Sequence, residues 1–339
     1  MNPEPTVLLL PGDGVGQEVI PAAAEVLIAL LPHVRLQQAE AGWACFQKHG
    51  SALPPQTLAL AREADAILFG ATQSPMGGAP GYSSPILTLR KELDLFANLR
   101  PARSLPGLSP RFDLLIVREN SEGLYSGRER PIEDGFVAER IVTARASRRI
   151  ARVACEQALR LATRSGRRPH LTIVHKANVL KRSDGLFREQ CLAVAAAYPD
   201  IRVDELLVDT AAMWLARDPG RFQVIVTSNL FGDILSDLAA GLAGGLGLAP
   251  SANIGDAQSA LFEPVHGSAP DIAGRGVANP LAALRSVVML LRHWQRDAEA
   301  ANLEAAIERV LREGPHTPDL GGDATTEQVT HAVKTLALG

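Results

Sequence analysis

The sequence predicts an α/β fold with a largely parallel sheet, and three observations support this prediction. Short apolar runs typical of buried strands alternate with longer helical segments throughout the chain. The chain has 339 residues, enough for about two domains, and neither a repeat nor a long linker divides it. Polar, glycine-rich turns follow several of the apolar runs and lead into helices, as in a strand–turn–helix unit. We therefore expect two interleaved α/β domains.

The elements of the N-terminal part are predicted from apolar runs and the residues that break them. Residues 6–10 (TVLLL) form a buried strand, and the turn PGDGVG then leads into a helix over about 17–31. Residues 65–70 (DAILFG) form a second strand. The Pro/Gly/Ser-rich loop 71–85 separates it from a helix predicted near 86–96.

The same alternation continues through the middle of the chain. Residues 113–117 (DLLIV) are predicted to be a strand, and a helix of about 20 residues starts near Ala146. Residues 171–178 (LTIVHKAN) and 221–229 (RFQVIVTSN) each read as a strand that runs into a polar turn. The segment GDILSDLAAGLAG then starts another helix.

Composition and charge argue against several classes of function. The formal net charge is −3 and aromatic residues make up only 4% of the chain, so we expect no nucleic-acid partner. The longest weakly polar run, Leu238 to Pro250, is too short and too rich in glycine to span a bilayer, so no membrane association is expected. The three cysteines lie far apart without a CxxC motif, which predicts reduced thiols and a cytoplasmic protein.

The glycine-rich turn Gly12-Asp13-Gly14-Val15-Gly16 has two interpretations. It follows a strand and opens a helix, so its backbone amides could face a phosphate or a nucleotide. It could equally be a tight turn that needs positive φ angles. It is not a Rossmann fingerprint, because the third glycine is not at the required spacing.

Asp233 and Asp237 are the strongest metal-ligand candidates. Four residues apart on a helix, their carboxylates share one face and repel each other, so a positive group should lie between them. A divalent cation with oxygen ligands fits this role. The alternative is a solvated helix face, which the apolar remainder of the helix disfavours. Asp209, after the strand-like run LLVD, is a weaker candidate for a third ligand.

Arginine, lysine and tyrosine side chains near element ends suggest a site for an acidic substrate. Arg90, Arg100 and Arg118 lie where bidentate binding of carboxylates is possible, although 29 arginines make chance placement a serious alternative. Lys176 follows a strand and could act as a base. Tyr125 could donate a proton, or be an ordinary half-buried side chain.

Seven segments together resemble the β-decarboxylating dehydrogenase family, whose members act on isocitrate, isopropylmalate, homoisocitrate and tartrate. They span nearly the whole chain in the family's order. The matching segments are LLLPGDGVGQEV, LTLRKELDLFANLRP, VRENSEGLYSG, VHKANVL, TSNLFGDILSDLAAGLAGGLGLAPSANIG, FEPVHGSAPDIAGRGVANP and TPDLGGDATTE.

The resemblance implies an isopropylmalate/isocitrate dehydrogenase-like fold of two interleaved α/β domains, which is not a Rossmann fold. Residues 1–98 with 246–339 would form a cofactor-binding domain, and residues 99–245 a metal-binding and dimerisation domain. An arm near 126–145 would form part of the dimer. Members of the family form homodimers or dimers of dimers with shared active sites. The resemblance implies that Lys176 and Asp209 would reach into the partner's site.

The resemblance also assigns roles to individual residues. Tyr125 would be the general acid and Lys176 the general base. The small-molecule substrate would be bound by Ser84, Arg90, Arg100, Arg118 and Asn178. The cofactor NAD would be bound by Thr72, Glu263, His266, Gly267, Ala269, Asp271 and Asn279. The metal ion, Mg²⁺ or Mn²⁺, would be bound by Asp209, Asp233 and Asp237. NAD is expected rather than NADP, because Asp271-Ile272 stands where NADP-using members typically carry Lys-Tyr, and an acid near the ribose would repel a 2′-phosphate.

Residues 82–90 (YSSPILTLR) should contact the substituent at C3 of the substrate. PGYSSPI, SEGLY and TPDLGGDATTE look most like homoisocitrate dehydrogenases, so we expect oxidation of homoisocitrate to 2-oxoadipate. Leu87, however, stands where some homoisocitrate enzymes carry an arginine. Isopropylmalate, isocitrate and tartrate or malate-type substrates remain alternatives. A non-catalytic regulatory subunit is a distant one, because Tyr125, Lys176 and the three aspartates are all present.

Overall fold

A computed structural model describes the chain in four stretches, and it confirms the α/β class. The chain divides into two compact units, Met1–Asp94 with Gly244–Gly339 and Leu95–Ala243. It thus enters the first unit, passes through the second, and returns. The described residues are 4–75, 78–105, 110–257 and 259–339.

The described residues of the first unit form five strands in the order β2-β1-β3-β12-β11. All neighbouring pairs are parallel except β11 and β12. Its strands are β1 (Thr6–Gly12), β2 (Arg35–Gln38), β3 (Ala66–Ala71), β11 (Pro250–Ile254) and β12 (Ala260–Pro264). Its helices are α1 (Gly16–Leu30), α2 (Trp43–His49), α3 (Pro55–Glu63), α4 (Pro85–Glu92), α9 (Leu281–His293), α10 (Asp297–Glu313) and α11 (Thr326–Leu338).

The core of the first unit forms where α1 and α9 pack on the sheet. Strand β3 is buried along its whole length, as expected for a parallel strand covered on both faces. Val19 and Ile20 of α1 and Leu284 and Val287 of α9 are completely buried. The strands β1 and β3 are therefore held in place by this core. Both strands end next to residues predicted to bind the cofactor.

In the part of the second unit that the structure describes, five further strands lie in the order β4-β5-β10-β8-β9, and β6 and β7 form a separate hairpin. The pair β4–β5 is antiparallel, and the other sheet pairs are parallel. Its strands are β4 (Ala97–Arg103), β5 (Asp113–Glu119), β6 (Glu129–Ile132), β7 (Gly135–Ala138), β8 (His170–His175), β9 (Arg202–Leu207) and β10 (Val224–Thr227). Its helices are α5 (Ala144–Ser165), α6 (Ser183–Ala195), α7 (Val208–Arg217) and α8 (Asn229–Leu242).

One hydrophobic cluster joins β5 and β10 to α7 and α8. Ile116 and Ile225 from the sheet pack with Leu215 and Leu235 from the helices, and all four are completely buried. Helix α8 contributes one apolar face to this cluster, and Asp233 and Asp237 are not part of it. The β6–β7 hairpin lies within the predicted arm, and it exposes 77% of Phe136 and 50% of Ile132.

Most predicted elements are confirmed, and two were wrong in ways that concern the site. The helix predicted near 86–96 ends at Glu92, because Asp94 takes a positive φ of 47° and the following apolar run forms β4. Asp209 does not end a strand but lies in the first turn of α7. Helix α8 starts at Asn229, earlier than expected, with Ser228 in the extended conformation before it.

In the part of the chain that the structure describes, no helix is both long enough and apolar enough to cross a membrane.

Candidate active site

Arg118, the penultimate residue of β5, is a cation held almost entirely out of solvent. Only 1% of it is exposed. Its Nε and Nη2 donate to Oδ1 of Asn229 at 3.0 and 2.8 Å, and its Nη1 donates to Oδ1 of Asp233 at 2.5 Å. Gly232 makes this packing possible, since a Cβ there would lie 2.6 Å from Cγ of Arg118. The pairing holds Asp233 against the end of β5.

Arg100 is the positive group that lies between the two acids of α8. Its Nη1 is 3.2 Å from Oδ1 of Asp233 and donates to Oδ1 of Asp237 at 3.0 Å. Asn98 and Ser236 also accept from this guanidinium, at 2.8 and 2.9 Å. The positive group expected between Asp233 and Asp237 is therefore an arginine of the same chain. The metal site at these two acids remains a prediction.

Tyr125 joins the same group of side chains from the loop after β5. Its hydroxyl donates to Oδ2 of Asp233, and its ring lies 5.0 Å from the guanidinium carbon of Arg118. Burial, together with the hydrogen bond to Asp233, raises the pKa of the phenol. The phenol therefore keeps its proton at neutral pH, as a general acid must.

The donor chemistry of α8 fits a divalent cation such as Mg²⁺ or Mn²⁺. Asp233 and Asp237 offer carboxylate oxygens from one helix face, and their side chains are 28% and 53% exposed. The pKa of Asp237 is raised by burial, which outweighs the opposing effect of Arg100. A cation bound at this carboxylate would favour its ionised form.

Lys176 and Asp209 form a second, separate group in the same unit. Lys176 follows β8, as predicted, and its Nζ donates to Oδ1 of Asp209 at 2.6 Å. This hydrogen bond lowers the pKa of Asp209, whose side chain is 63% exposed. Among the described residues, Asp209, Asp233 and Asp237 do not bring their oxygens within 4.8 Å of one another. One chain thus does not assemble the predicted three-ligand set. The exposed Asn178 lies in the turn after Lys176.

The third predicted substrate arginine, Arg90, is paired within the first unit. Its Nε donates to Oδ1 of Asn253 at 3.0 Å, and its Nη2 lies 3.1 Å from Oε1 of Glu263, whose side chain is only 10% exposed. Glu263, predicted to line the nicotinamide, also accepts from Nδ2 of Asn253 at 2.7 Å. Ser84 precedes α4 and is partly exposed.

The glycine-rich turn packs against the loop that starts at His266. Gly14 has a φ of +58°, and a Cβ there would lie 1.9 Å from the carbonyl oxygen of Ser268. The amide of Val15 donates to that same carbonyl at 2.9 Å. The tight-turn interpretation is therefore correct for Gly14. Thr72, another predicted cofactor residue, contacts this turn, since its Cγ2 would lie 3.3 Å from a Cβ at Gly12.

His266 presents a buried nitrogen toward this region. Its Nδ1 lies 3.0 Å from the carbonyl oxygen of Gly267, so Nδ1 carries the proton and Nε2 is an acceptor. Nε2 is buried and has no hydrogen-bond partner among the described residues. Burial lowers the pKa of this imidazole. A ligand with an N–H group, such as the amine of adenine, would satisfy Nε2.

Three further residues predicted to bind the cofactor lie in or near this loop. Ala269 takes an unusual positive φ of 38°. Asp271 is exposed. Asn279 is buried, and its Nδ2 donates to Asp319 at 2.9 Å.

Several residues that organise the site were missed from the sequence. Asn229 and Gly232 shape the pocket for Arg118, and Asn253 orients both Arg90 and Glu263. Asp13 accepts from the backbone amides of Trp43, Ala44 and Gln73 at 2.7–2.9 Å. No local signal predicted these contacts, because Asp13 accepts from amides 30 and 60 residues away along the chain.

Comparison with known proteins identifies the chain's family. The profile of the isocitrate/isopropylmalate dehydrogenase family matches residues 6–333. The chain is 52% identical to an isocitrate/homoisocitrate dehydrogenase of Thermus thermophilus over 330 residues, covering 96% of this chain and 97% of that protein. It is 48% identical to a 3-isopropylmalate dehydrogenase of Methanothermobacter thermautotrophicus over 326 residues, covering 95% of each.

A solved structure supports the same assignment and confirms the predicted fold. Isocitrate dehydrogenase from Methylococcus capsulatus superposes with a TM-score of 0.92 at 42% identity, covering 98% of this chain and 99% of that one. The chain therefore belongs to the isocitrate/isopropylmalate dehydrogenase family of β-decarboxylating, divalent-metal- and NAD(P)-dependent enzymes.

Proposed function

We propose that this enzyme uses NAD and Mg²⁺ or Mn²⁺ to oxidise and decarboxylate a 3-carboxy-2-hydroxy acid, with homoisocitrate as the preferred substrate and 2-oxoadipate as the product. The observation that carries the reaction type is the joining of Arg100, Arg118 and Tyr125 to Asp233 in one unit. This group combines cations for carboxylates, a protonated phenol and oxygen ligands for a metal.

The arginines bind the substrate in this proposal. Arg100 and Arg118 each contact the carboxylates of α8 through Nη1, so both guanidinium groups already lie beside carboxylate oxygens. Asp233 and Asp237, together with Asp209 of a partner subunit, would hold the divalent cation, and part of the charge of the two arginines would then be available to the substrate. The cation, when bound, lowers the pKa of the 2-hydroxyl and stabilises negative charge that develops during decarboxylation.

Lys176 and Tyr125 move the protons. Lys176 would accept the hydroxyl proton, directly or through water, and bound NAD would supply the acceptor for the C2 hydride. The C3–carboxylate bond would then break, and the electron pair left by CO₂ would form the enolate of the 2-oxo product. Tyr125 would protonate C3 of this enolate, a role that its raised pKa supports.

NAD is the proposed cofactor, and its residues lie in the first unit. The unpartnered Nε2 of His266 supports a nearby adenine, and the exposed Asp271 supports a ribose with free hydroxyls. Thr72, Glu263, Gly267, Ala269 and Asn279 complete the proposed set. The hydrogen bond from Arg90 to Glu263 supports a role for Glu263 in positioning Arg90, in addition to any role at the nicotinamide.

The choice of homoisocitrate rests on the start of α4. Ser83 and Ser84 offer hydroxyls to a carboxylate-bearing arm, whereas an isopropyl group would leave each without a partner at a cost of about 1–3 kcal/mol. Ile86 and the 40% exposed Leu87 offer apolar surface to the methylenes of a longer arm. We therefore rank homoisocitrate above isocitrate, and isocitrate above isopropylmalate.

The test follows NADH formation with homoisocitrate, isocitrate, isopropylmalate and tartrate, each with Mg²⁺ or Mn²⁺ and with excess chelator. We expect the highest kcat/KM for homoisocitrate and no turnover with chelator. Ser84→Leu should shift preference toward isopropylmalate, and Ser74→Leu in the preceding exposed loop is the matched control. A wild-type preference for isopropylmalate would refute the ranking, and no turnover with any substrate would support the regulatory-subunit alternative.

The assembly and compartment belong to the same proposal. Exposed Phe136 and Ile132 of the hairpin support a homodimer or dimer of dimers that shares its active sites. Residues 1–98 with 246–339 would bind the cofactor, and 99–245 would bind the metal and dimerise. All three cysteines are free and buried, which supports a reducing, cytoplasmic environment.

A further inference from the structure

A group of side chains around α2 combines three different donor types. Cys45 and His49 lie four residues apart on this helix, so they share one face. Glu40, just before the helix, completes the group. One donor atom from each, the thiol sulfur, a ring nitrogen and a carboxylate oxygen, lies within 4.8 Å of the other two. None of these residues has a role in the proposed reaction.

We propose that Glu40, Cys45 and His49 form a binding site for a borderline divalent transition-metal ion such as Zn²⁺. Thiolate, imidazole and carboxylate at tetrahedral bond lengths lie about 3.3–3.6 Å apart. Because the donor atoms lie within 4.8 Å of one another, side-chain movements of up to about 1 Å would bring them to these separations. Water would supply the fourth ligand.

The backbone that carries these ligands is already fixed. Asp13 accepts from the amides of Trp43 and Ala44 at the start of α2. The carbonyl oxygen of Glu40 accepts from Oγ1 of the buried Thr57 at 3.0 Å. Metal binding therefore needs rotation of side chains and no rearrangement of the chain, which limits its entropic cost.

The ligands differ in how readily they bind a cation. Oε2 of Glu40 lies 2.8 Å from Nε2 of His49, and Nζ of Lys48 donates to Oε1 at 2.9 Å. These contacts lower the pKa of Glu40, so it is ionised. Burial raises the pKa of Cys45, so the metal must displace the thiol proton to solvent. Lys48 competes with the metal for Glu40.

Oxygen-only ligation distinguishes the proposed active-site metal from this one. Mg²⁺ prefers oxygen ligands, whereas a thiolate selects softer ions. Millimolar Mg²⁺ should therefore not displace an ion from Cys45. This difference separates failure of the α2 site from failure of the proposed reaction.

The test titrates the full chain with Co²⁺ in a phosphine reductant and excess Mg²⁺, and follows the thiolate-to-Co²⁺ charge-transfer absorption. We expect one ion per chain. Cys45→Ala should abolish the band. His49→Gln and Glu40→Gln should weaken affinity by more than about 10-fold, because loss of even an outer-shell partner costs about 10–100-fold. Both substituted positions are exposed, so these variants should fold even if Cys45→Ala does not.

Three further variants test which residues bind the ion. Lys48→Ala should tighten binding by up to about fivefold, the scale of one exposed ion pair. Lys91→Ala and His331→Gln, at exposed positions outside the cluster, should leave affinity unchanged. The proposal is overturned if the wild type shows no charge-transfer band, or if the band responds to Cys45 alone and not to His49 or Glu40.

Discussion

The Arg118–Asp233 group and the Lys176–Asp209 pair lie in the same unit but differ in how they are held. Arg118 is 1% exposed and donates hydrogen bonds to two residues of α8, Asn229 and Asp233, whereas the side chain of Asp209 is 63% exposed. The first group is part of the packing of the unit. The second is an ion pair in solvent, whose net contribution to stability is small. Loss of the first should therefore affect folding and chemistry, and loss of the second chemistry alone.

The largest expected effect tests whether the solvent-facing pair serves a neighbouring chain. Lys176→Ala and Tyr125→Phe should each reduce kcat by about 10²–10⁴-fold, the usual contribution of a general base or acid. If the pair acts in the partner's site, a mixed dimer has one site with both changes and one with neither. Random 1:1 assembly should then restore about one quarter of wild-type activity.

The measurement is NADH formation after subunit exchange, with exchange verified by native mass spectrometry of differently tagged chains. Mixing each variant with itself is the control and should restore nothing. Absence of recovery despite demonstrated exchange would mean that each chain builds its own complete site.

Removal of the buried Arg118 guanidinium should have the next largest effect, and this effect is on stability. Arg118→Ala leaves Asp233 with less compensation and Asn229 without its donor, so the free energy of unfolding should fall by about 3–5 kcal/mol. Asp209→Asn should leave unfolding unchanged while lowering turnover. Urea denaturation measures both, and Arg202→Ala, at an exposed arginine paired with Asp204, is the matched control. Equal destabilisation by Arg118→Ala and Asp209→Asn would show that the two groups do not differ in their contribution to folding.

A third, smaller effect concerns Asp271, which is exposed like Asp209 but lies in the first unit. A carboxylate that accepts from ribose hydroxyls contributes about 1.5–3 kcal/mol, or roughly 10–100-fold in kcat/KM for NAD. Asp271→Asn should lose this preference for NAD over NADP without loss of thermal stability. Asp256→Asn, at another exposed acid of this unit, is the control. Faster turnover with NADP by the wild type would show that Asp271 does not select the cofactor.

Local patterns in the sequence predicted the parts of the site that depend on local geometry. The spacing of Asp233 and Asp237 predicted their common helix face, and the run before Lys176 predicted a strand end. The partners of these residues could not be predicted this way. Arg118 meets Asn229 and Asp233 because β5 and β10 are neighbours, and a one-dimensional pattern does not give strand order.

The errors have the same origin. The run from Leu95 to Leu99 was compatible with a helix or a strand by its apolar residues alone. Its pairing with β5, in which Asn98 faces Arg118, decided for the strand. Within the strand, residues two apart share a face, so Asn98 accepts from Arg100, and the strand that replaces the predicted helix also builds the site.

His266 represents a third condition, a partly exposed side chain whose Nε2 is buried but has no hydrogen-bond partner among the described residues. Because burial lowers its pKa, the folded state resists protonation while the unfolded state accepts a proton near pH 6.5. Stability should be full above that pH and decline as pH falls toward the lowered folded pKa, by at most about 1.4 kcal/mol per pH unit. Burial also lowers the pKa of His175, so His175 adds a further decline in stability as pH falls.

The contribution of His266 is therefore the difference between wild type and His266→Gln in the slope of stability against pH, measured by thermal unfolding from pH 7.5 to 5.5. His331→Gln, at an exposed position, should keep the wild-type slope. If His266→Gln keeps it as well, protonation of this imidazole is not linked to folding, and the buried Nε2 is satisfied by water.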